Sequence, residues 1–336
     1  MRRRSFLLGG LAAAGAASLA RSQQPSEQQP RKLKAGIIGC DTSHVIAFTR
    51  AFNDPAAAGE LADIQVVAAY PGGSQDVAAS RDRVKGFTEQ LREMGLAIVD
   101  SIPALLEQVD VVLLESVDGR PHLEQARPVF EAGKPVFIDK PLAGSLADAV
   151  EIFRLAEQHE VPCFSSSSLR FSADVQKMRD NEEVGQVVGC DAYGPCSLEP
   201  HHPDLFWYGI HGVETLFTIM GTGCEAVNRV QTEGTELVVG TWSDGRIGTF
   251  RGIRQGKSGY GATVFGSKAI ASAGGSGGYQ PLLVEIARFF KTGRLPVSHE
   301  ETLEIFAFMQ AADMSKQRHG GRVALADVLA DARSAG

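Results

Sequence analysis

The sequence predicts an α/β protein: a Rossmann-like, doubly wound parallel sheet, followed by a C-terminal α+β domain with an open, mostly antiparallel sheet. The first part alternates short, almost continuously apolar segments with helical patterns, which is typical of a parallel sheet covered on both faces. After about Ser168, strand-like segments follow one another closely with glycine-containing turns between them. The composition, 43% hydrophobic and 22% charged over 336 residues, suits two globular domains.

The N-terminal residues have the composition of an export signal. Arg2, Arg3 and Arg4 precede Ser-Phe-Leu-Leu and a Gly/Ala/Leu-rich segment, which is typical of a twin-arginine signal. That segment is too short and too rich in small residues to span a membrane stably, so no stable span is expected once the signal is removed. We therefore predict a signal peptide at 1–20, a polar linker at 21–32 and a periplasmic or otherwise exported protein.

Residues 33–145 are predicted to form the Rossmann-like domain. Apolar strand patterns cover 34–38, 64–70, 97–99, 109–114 and 135–138, and the same pattern recurs at 161–165. Helical patterns cover 45–53, 123–132 and 146–159. The ligand crevice of such a sheet lies at the carboxyl ends of its strands.

Residues 146–336 are predicted to form the C-terminal substrate and oligomerisation domain. Its strand patterns cover 186–192, 226–232, 235–241, 246–251 and 261–265. One helix is expected from Ile210 onward, and two more cover 281–291 and 300–317.

The first strand-to-helix turn is where a dinucleotide would bind. Such turns carry Gly-x-Gly-x-x-Gly, because glycine permits a tight turn and a close approach to pyrophosphate. Here the turn is Gly39-Cys40-Asp41-Thr42-Ser43-His44, and only the first glycine is present. An anion at Asp41 would repel phosphates, whereas Asp41, Thr42 or Ser43 could cap the following helix. Two interpretations stay open: a cap alone, or a cap that also contacts a ligand.

The end of the second strand bears on the choice of cofactor. Tyr70 is followed by Pro-Gly-Gly and Ser74, without the acidic residue that holds the adenosine ribose of NAD. Ser74, Arg81 and Arg83 are near enough in sequence to meet a 2′-phosphate, although exposed arginines on a helix are also simply solvated. The predicted cofactor is NAD or NADP, with the choice left open.

Lys140 and His211 are the principal candidates for catalysis. Lys140 follows an apolar strand and precedes Pro141, and a lysine there can bind a carbonyl or hydroxyl oxygen. His211 begins an apolar helical segment and can move a proton at neutral pH. Together they supply what reversible oxidation of an alcohol carbon requires. The structural alternatives are a surface lysine and a buried histidine at a helix start.

These residues resemble the motifs of a known family. Asp139-Lys140-Pro141 is similar to the Glu-Lys-Pro motif of the Gfo/Idh/MocA family (glucose-fructose oxidoreductase, inositol dehydrogenase and relatives), and Gly209-Ile210-His211 is similar to its Gly-x-His motif. The resemblance extends from about residue 33 to the C-terminus. It implies an NAD(P)-dependent oxidoreductase of a sugar, polyol or related hydroxy compound, with Lys140 polarising the oxygen and contacting the nicotinamide ribose, and His211 as acid/base.

The resemblance also implies roles for neighbouring residues. Asp139 would replace the family's glutamate and keep Lys140 charged. His122 matches a histidine beneath the nicotinamide, and its alternative role is helix capping. Trp207 and Glu214 stand where the family usually has aspartates, so Trp207 removes a carboxylate. A homo-oligomer formed through the open sheet's exposed face is implied as well.

The segment 199–208 is dense in polar and aromatic side chains, and we assign it to substrate binding. Trp207 and Tyr208 can stack on sugar faces, while His202 and Asp204 can bind hydroxyl groups. Arg170 can bind a substrate oxygen or acidic group, or form an interdomain salt bridge. The histidines and acids between residues 201 and 214 could also ligate a metal, but no metal signature occurs, and no metal site is predicted.

The remaining composition excludes several classes. The net charge of −7 and the lack of a basic stripe argue against nucleic acid. Five cysteines without Cys-x-x-Cys argue against a disulfide framework or zinc ribbon, and no Gly-x-Ser-x-Gly hydrolase elbow occurs. The leading hypothesis is the oxidoreductase. The alternatives are a glycoside hydrolase or lyase, non-redox or acting by transient oxidation and with or without a metal, and a cofactor-free binding protein.

Overall fold

Six parallel strands form the first sheet, in the order β3-β2-β1-β4-β5-β6. They are β1 (Leu33–Ile38), β2 (Ile64–Tyr70), β3 (Ala97–Ile98), β4 (Val111–Leu114), β5 (Val136–Ile138) and β6 (Cys163–Ser165). The computed structural model describes residues 31–179, 181–275 and 277–334; the proposed signal peptide and nearly all of the proposed linker lie outside these ranges. The strand order reverses between β1 and β4, which puts a ligand crevice at their carboxyl ends.

Helices cover both faces of this sheet. They are α1 (His44–Phe52), α2 (Ala78–Glu93), α3 (Ile102–Leu106), α4 (His122–Glu131), α5 (Leu146–Gln158) and, from much later in the chain, α8 (Gln280–Thr292). The apolar side chains of α8, among them Leu283 and Ile286, share a buried cluster with Phe48 of α1 and Ile37 of β1. The C-terminal part of the chain therefore contributes to the core of the Rossmann-like region.

Seven strands form the second sheet, in the order β12-β11-β7-β10-β9-β8-β13. They are β7 (Val187–Pro195), β8 (Cys224–Gln231), β9 (Thr235–Trp242), β10 (Ile247–Ile253), β11 (Gly261–Gly266), β12 (Ile270–Gly274) and β13 (Val323–Ala324). Only the β7–β10 pairing is parallel among the described pairings of this sheet. The expected fold class, a parallel Rossmann-like sheet plus an open and mostly antiparallel one, is thereby confirmed.

Helices α6 (Ala173–Arg179), α7 (Ile210–Met220), α9 (His299–Gln317) and α10 (Leu325–Ser334) accompany the second sheet. Helix α7 is buried along most of its length because it lies against β7 and β10. A π-helical turn, Leu205–Gly209, leads directly into it and sets the direction of the residues at its start. Both sheets belong to one compact unit that begins at Lys32.

Two features differ from the sequence-based picture. Strand β6 extends the parallel sheet to Ser165, beyond the boundary expected at residue 145. Strands β12 and β13 and helix α10 are missing from the prediction, because a two-residue strand and a glycine-flanked strand carry too little periodicity to detect. All five cysteines are buried free thiols, as expected. Within the described ranges, no helix combines the length and apolar character that crossing a bilayer requires.

Candidate active site

A cleft of 360 Å³ opens at the carboxyl ends of β1, β4 and β5, where the two sheet regions meet. Both catalytic candidates line it. The described lining residues are Thr42, Ser43, His44, Ala79, Arg83, Val117, Lys140, Ser168, Leu169, Trp207, Tyr208, His211, Tyr260 and Tyr279. None of them is acidic. We refer to this set as the cleft.

Lys140 directs its ammonium group into the cleft. Nζ lies 5.2 Å from the centre of the Tyr208 ring, and within the described chain this cation–π contact is its only direct side-chain partner. Burial lowers the pKa of Lys140 from its ordinary value; Asp139 opposes this shift and Arg83 adds to it. The Lys140 amine therefore has spare hydrogen-bonding capacity, as a group that binds a substrate oxygen must have.

Asp139 anchors the backbone of this lysine. Its carboxylate accepts a hydrogen bond from the Lys140 backbone N–H at 2.8 Å and contacts Nδ1 of His44 at 2.5 Å. Burial opposes the charge, but His44 and Lys140 outweigh it and hold the pKa of Asp139 below its usual value. His44 in turn stacks on Phe48 and meets the edge of Tyr279. Asp139 thus acts on the cleft through two of its lining residues.

His211 contacts the same Tyr208 ring as Lys140. Its Nδ1 lies 2.7 Å from Oγ of Ser167, and its ring meets the edges of Tyr208 and Tyr260. Burial, with help from Lys140 and His44, lowers the pKa of His211 well below 6.5, so the imidazole is neutral at neutral pH. Because Ser167 occupies Nδ1, the other ring nitrogen is left for a ligand.

Glu214 and Arg170 hold the Ser167 loop in place behind His211. The Glu214 carboxylate accepts hydrogen bonds from the Ser167 backbone N–H, the Ser166 hydroxyl and Nε of Arg170. Arg170 is buried, makes a second ion pair with Glu301, and borders a different surface groove. Both partners of Arg170 lie within the predicted domain 146–336, so its salt bridges are not the interdomain bridge considered, and Arg170 does not line the cleft.

The turn after β1 is organised by Asp41 in a way that the sequence does not indicate. The Asp41 carboxylate is fully buried and accepts hydrogen bonds from the Val117 backbone N–H at 2.8 Å and from the Ser80 hydroxyl at 2.5 Å. Of the three residues considered as caps, Thr42 accepts a hydrogen bond through Oγ1 from the backbone N–H of His44, the first residue of α1, at 3.4 Å, whereas Ser43 makes no side-chain capping bond. Asp41 joins the loop after β4 to helix α2 instead.

Gly39 is required by the protein's own packing. It has a φ of +89°, and a Cβ atom there would lie 2.5 Å from the Ser116 backbone nitrogen. Thr42, Ser43 and His44 of the same turn do line the cleft. Of the turn residues predicted to bind the cofactor, these three are the ones in position to contact a ligand.

Ser74 and His122 lie outside the cleft. The Ser74 side chain bonds Asp118, whereas His122 is fully buried with its ring nitrogens beside the Ser116 and Leu142 carbonyl oxygens. The helix that His122 opens has Pro121 at its N-cap, without a side-chain bond. His122 therefore ties the loops after β4 and β5 together and does not cap the helix.

The substrate segment divides into two groups. Trp207 and Tyr208 line the cleft, as predicted. His202 is buried with Nε2 3.0 Å from Asp118, and Asp204 pairs with Arg229 and Lys316 at 2.7 Å each. Neither of these two reaches the cleft. Both precede the π-helical turn Leu205–Gly209, which contains Trp207 and Tyr208, and both are held by their ion-pair partners. In the described part of the chain, no group of three or more His, Cys, Asp or Glu residues is arranged to hold a metal.

Sequence reasoning missed Ser167, Tyr260, Tyr279 and Glu115, and it placed Arg83 with the 2′-phosphate candidates. Arg81 pairs with the adjacent Asp82, whereas Arg83 lines the cleft, so the two arginines do not converge. The tyrosines follow glycine-rich stretches with no motif of their own. Their positions depend on how β11 and α8 return to the cleft, and no local signal in the sequence gives this.

A nicotinamide dinucleotide fits the residues that are present. The N-cap residue of α1, Ser43, makes no side-chain capping bond, and a helix N-terminus of this kind suits a phosphate. The objection that Asp41 would repel phosphates is removed, because its carboxylate is buried against Val117 and Ser80 and is not among the residues lining the cleft. Lys140 and His211 line the same cleft as the turn residues 42–44.

Comparisons with known proteins agree with this geometry. Residues 33–167 match the sequence profile described as "Oxidoreductase family, NAD-binding Rossmann fold", which is that of Gfo/Idh/MocA. An uncharacterized oxidoreductase of Bacillus subtilis, YrbE, is 24% identical over 230 residues, which are 58% of this chain and 66% of that protein. The match therefore spans slightly less than two thirds of the relative's length.

Solved structures show the same fold. A probable dehydrogenase from Thermotoga maritima has a TM-score of 0.71 at 21% identity, over 88% of this chain and 100% of the other. The scyllo-inositol dehydrogenase of Lactobacillus casei, with NAD(H) and scyllo-inositol bound, has a TM-score of 0.70 at 16% identity, over 88% and 100%. The profile match covers residues 33–167 and is to the NAD-binding Rossmann fold of an oxidoreductase family, in agreement with the Gfo/Idh/MocA resemblance of the motifs. The solved structures show that the chain shares their fold.

Proposed function

We propose that this protein oxidises a hydroxyl group of a sugar, polyol or related hydroxy compound, reversibly and with NAD or NADP. The observation that carries the proposal is that Lys140 and His211 both contact the Tyr208 ring and line one cleft. When bound, the dinucleotide supplies the hydride acceptor, and the protein supplies binding, orientation and proton transfer.

Lys140 would bind the substrate oxygen. An ammonium group stabilises the negative charge that grows on a hydroxyl oxygen as its proton leaves, and it does so most strongly where water is excluded. Asp139 fixes the backbone of the lysine, and the Tyr208 ring holds its ammonium group within the cleft. The lysine is thereby held in one place without a carboxylate in direct contact that would neutralise it.

His211 would take the hydroxyl proton. A general base must be unprotonated, and burial keeps this imidazole neutral at neutral pH. Ser167 bonds Nδ1, and Glu214 fixes Ser167 through its backbone, so the free nitrogen of His211 has a defined direction. In the reverse direction the same histidine would return the proton.

The alternative of a non-redox glycoside hydrolase has less support. That chemistry generally uses two carboxyl groups flanking the scissile bond. The described residues of the cleft include no carboxylate, since Asp139 and Asp41 are buried behind its wall and Glu214 is paired with Arg170. Cleavage by transient oxidation would use the same lysine and histidine, and it remains a variant of the proposed reaction.

The polyol proposal draws support from the neighbouring scyllo-inositol dehydrogenase, which shares the fold. We also propose export by the twin-arginine route, since that route carries folded proteins and permits a cofactor to be bound beforehand. We propose that the protein forms a homo-oligomer through the exposed outer face of the second sheet. Large apolar residues are exposed there or nearby, including Val188, Val230 and Ile247.

The test begins with protein lacking residues 1–20, purified from the cytoplasm and denatured. Mass spectrometry of the supernatant measures NAD(H) and NADP(H), and a panel of polyols and sugar acids is then screened for reduction of either cofactor. We expect activity that Lys140→Met and His211→Asn each lower by about 10²-fold or more, as is usual for loss of acid/base and oxyanion-binding groups. Lys85→Met, at an exposed position on α2, is the control. A protein that neither carries nor binds a dinucleotide would contradict the proposal.

A further inference from the structure

The cleft contains positive charge that its own residues do not neutralise. Arg83 donates from Nε to the Ala79 carbonyl oxygen, and within the described chain its terminal nitrogens have no ion-pair partner. Lys140 has only the Tyr208 ring. Both residues line the cleft, whose described lining includes no acid.

The nearby acids are already committed elsewhere. Asp139 is paired with His44, and Asp41 is bound to Ser80 and the Val117 backbone. Asp118, after β4, holds Arg120 and His202. Rearrangement of these acids toward Arg83 would leave buried donors unpaired, which is costly. Asp41 is close enough to interact electrostatically with Arg83 but makes no ion pair with it, so the guanidinium is available to an anionic ligand.

The two cations also act on each other. Arg83 and Lys140 line the same cleft, and the charge of Arg83 adds to burial in lowering the pKa of Lys140. Like charges held together in a poorly solvated site destabilise one another, and an anion between them removes that cost. A guanidinium is also suited to a carboxylate, because its planar fork can donate two parallel hydrogen bonds.

We propose that Arg83 binds a carboxylate group of the substrate, so that the compound oxidised is a hydroxy acid or sugar acid and not a neutral polyol. This inference rests on the proposed function and narrows its substrate class. The hydroxyl groups of Ser43, Ser168 and the cleft tyrosines would meet the remaining hydroxyls of such a compound. Lys140 would then bind the oxygen that reacts and Arg83 the group that does not.

A cofactor phosphate offers the same oxyanion chemistry, so the experiment must separate the two sources. We assign the site to the substrate because Arg83 lines the same cleft as Lys140 and His211, whereas the N-terminus of α1 suits the cofactor phosphates. Trp207 lines the cleft, and the other of the two tryptophans, Trp242, is buried in the second domain, so tryptophan fluorescence reports ligand binding. The probes are D-gluconate and D-glucitol, which differ chiefly in one carboxylate.

Titrations are carried out on purified protein lacking residues 1–20, with and without saturating NAD⁺ or NADP⁺. We expect gluconate to bind about ten-fold or more tighter than glucitol, and Arg83→Gln to abolish that preference, in line with loss of a charged hydrogen bond. Arg83→Lys should retain part of it. Arg81→Gln is the matched control, since Arg81 is on the same helix but is paired with Asp82 outside the cleft.

Three results would overturn the inference. The first is equal binding of gluconate and glucitol, and the second is no binding of either probe at tens of millimolar. The third is an unchanged gluconate preference in Arg83→Gln together with weakened dinucleotide binding, which would assign the guanidinium to the cofactor. Failure of the proposed function looks different. A gluconate preference that depends on Arg83, without dinucleotide binding or turnover of any hydroxy acid, would retain the anion site and refute the oxidoreductase.

Discussion

Nδ1 of His44 lies 2.5 Å from Oδ2 of Asp139, and this contact joins the first residue of α1 to the end of β5. His44 occupies the position of the third glycine in a standard dinucleotide turn, and Asp139 that of the family's glutamate. The two departures from the family pattern are therefore in direct contact. They form one unit that supports the backbone of Lys140.

Replacing the aspartate should test this unit. In Asp139→Asn the backbone bond to Lys140 can persist, but the negative charge that favours the ammonium is lost, so the pKa of Lys140 should fall further. The expected result is an alkaline limb of kcat/KM that moves to lower pH, measured across a pH series. Asp327→Asn, at an exposed site on α10, should leave the limb unmoved. An unmoved limb in Asp139→Asn would show that the carboxylate does not act on the lysine.

The wild-type pH profile is a separate prediction. The pKa of His211 is lowered well below 6.5 and that of Lys140 is lowered from 10.5. A base must be neutral and the oxygen-binding lysine charged, so activity should be lost as pH falls through the lowered histidine pKa and as it rises through the lowered lysine pKa. We expect kcat/KM to be on its plateau at pH 6.5, measured in constant-ionic-strength buffers. An acid limb centred at or above 6.5 would contradict a neutral buried histidine.

Asp41 should be a structural requirement of this turn even though family members carry glycine there. Asp41→Gly restores the glycine but leaves the Val117 N–H and the Ser80 hydroxyl without their acceptor, and buried unpaired groups cost about 1–3 kcal/mol each. We expect a lower free energy of unfolding in urea titrations. Asp41→Asn keeps an acceptor for Val117 and should lose much less. Equal stability of the two variants would indicate that the carboxylate bonds contribute little.

Glu115 predicts an unusual pH dependence of stability. Its carboxyl group is fully buried, and neither oxygen has a partner among the described residues. Burial, together with Asp139 and Asp41, raises the pKa of Glu115 well above 4.5. The folded state therefore keeps a proton that the unfolded chain releases, and stability should fall as pH rises from 4.5 toward the raised value, by up to about 1.4 kcal/mol per pH unit.

The isosteric variant Glu115→Gln has no proton to lose. Its free energy of unfolding should exceed that of the wild type increasingly as pH rises through this range, measured by urea titration at several pH values. Glu131→Gln, at an exposed position, is the control. Parallel pH curves for wild type and Glu115→Gln would rule out a protonated Glu115.

The sequence indicated the fold well because apolar periodicity reports strand and helix burial directly. Lys140 was also found from sequence, since it follows a strand whose carboxyl end must lie at the crevice. His211 was found from its place at the start of an apolar helical segment and from the Gly-x-His resemblance. His202, Asp204 and Arg170 were misplaced for a different reason: a polar residue near a crevice can point toward it or toward a buried partner. Asp118, Arg229 and Glu214 are those partners, and their proximity exists only in the folded chain.

The Asp41 carboxylate connects the turn after β1 with the loop after β4 and with helix α2. A glycine at this position has no side chain that could make these connections. These hydrogen bonds fix the wall of the cleft before a cofactor binds. Cofactor binding should then cost little ordering of the chain, and the protein should resist proteolytic nicking near residues 71–83 equally well with and without it. Such a site is preorganised for its ligand and is correspondingly less able to adapt its shape to a different one.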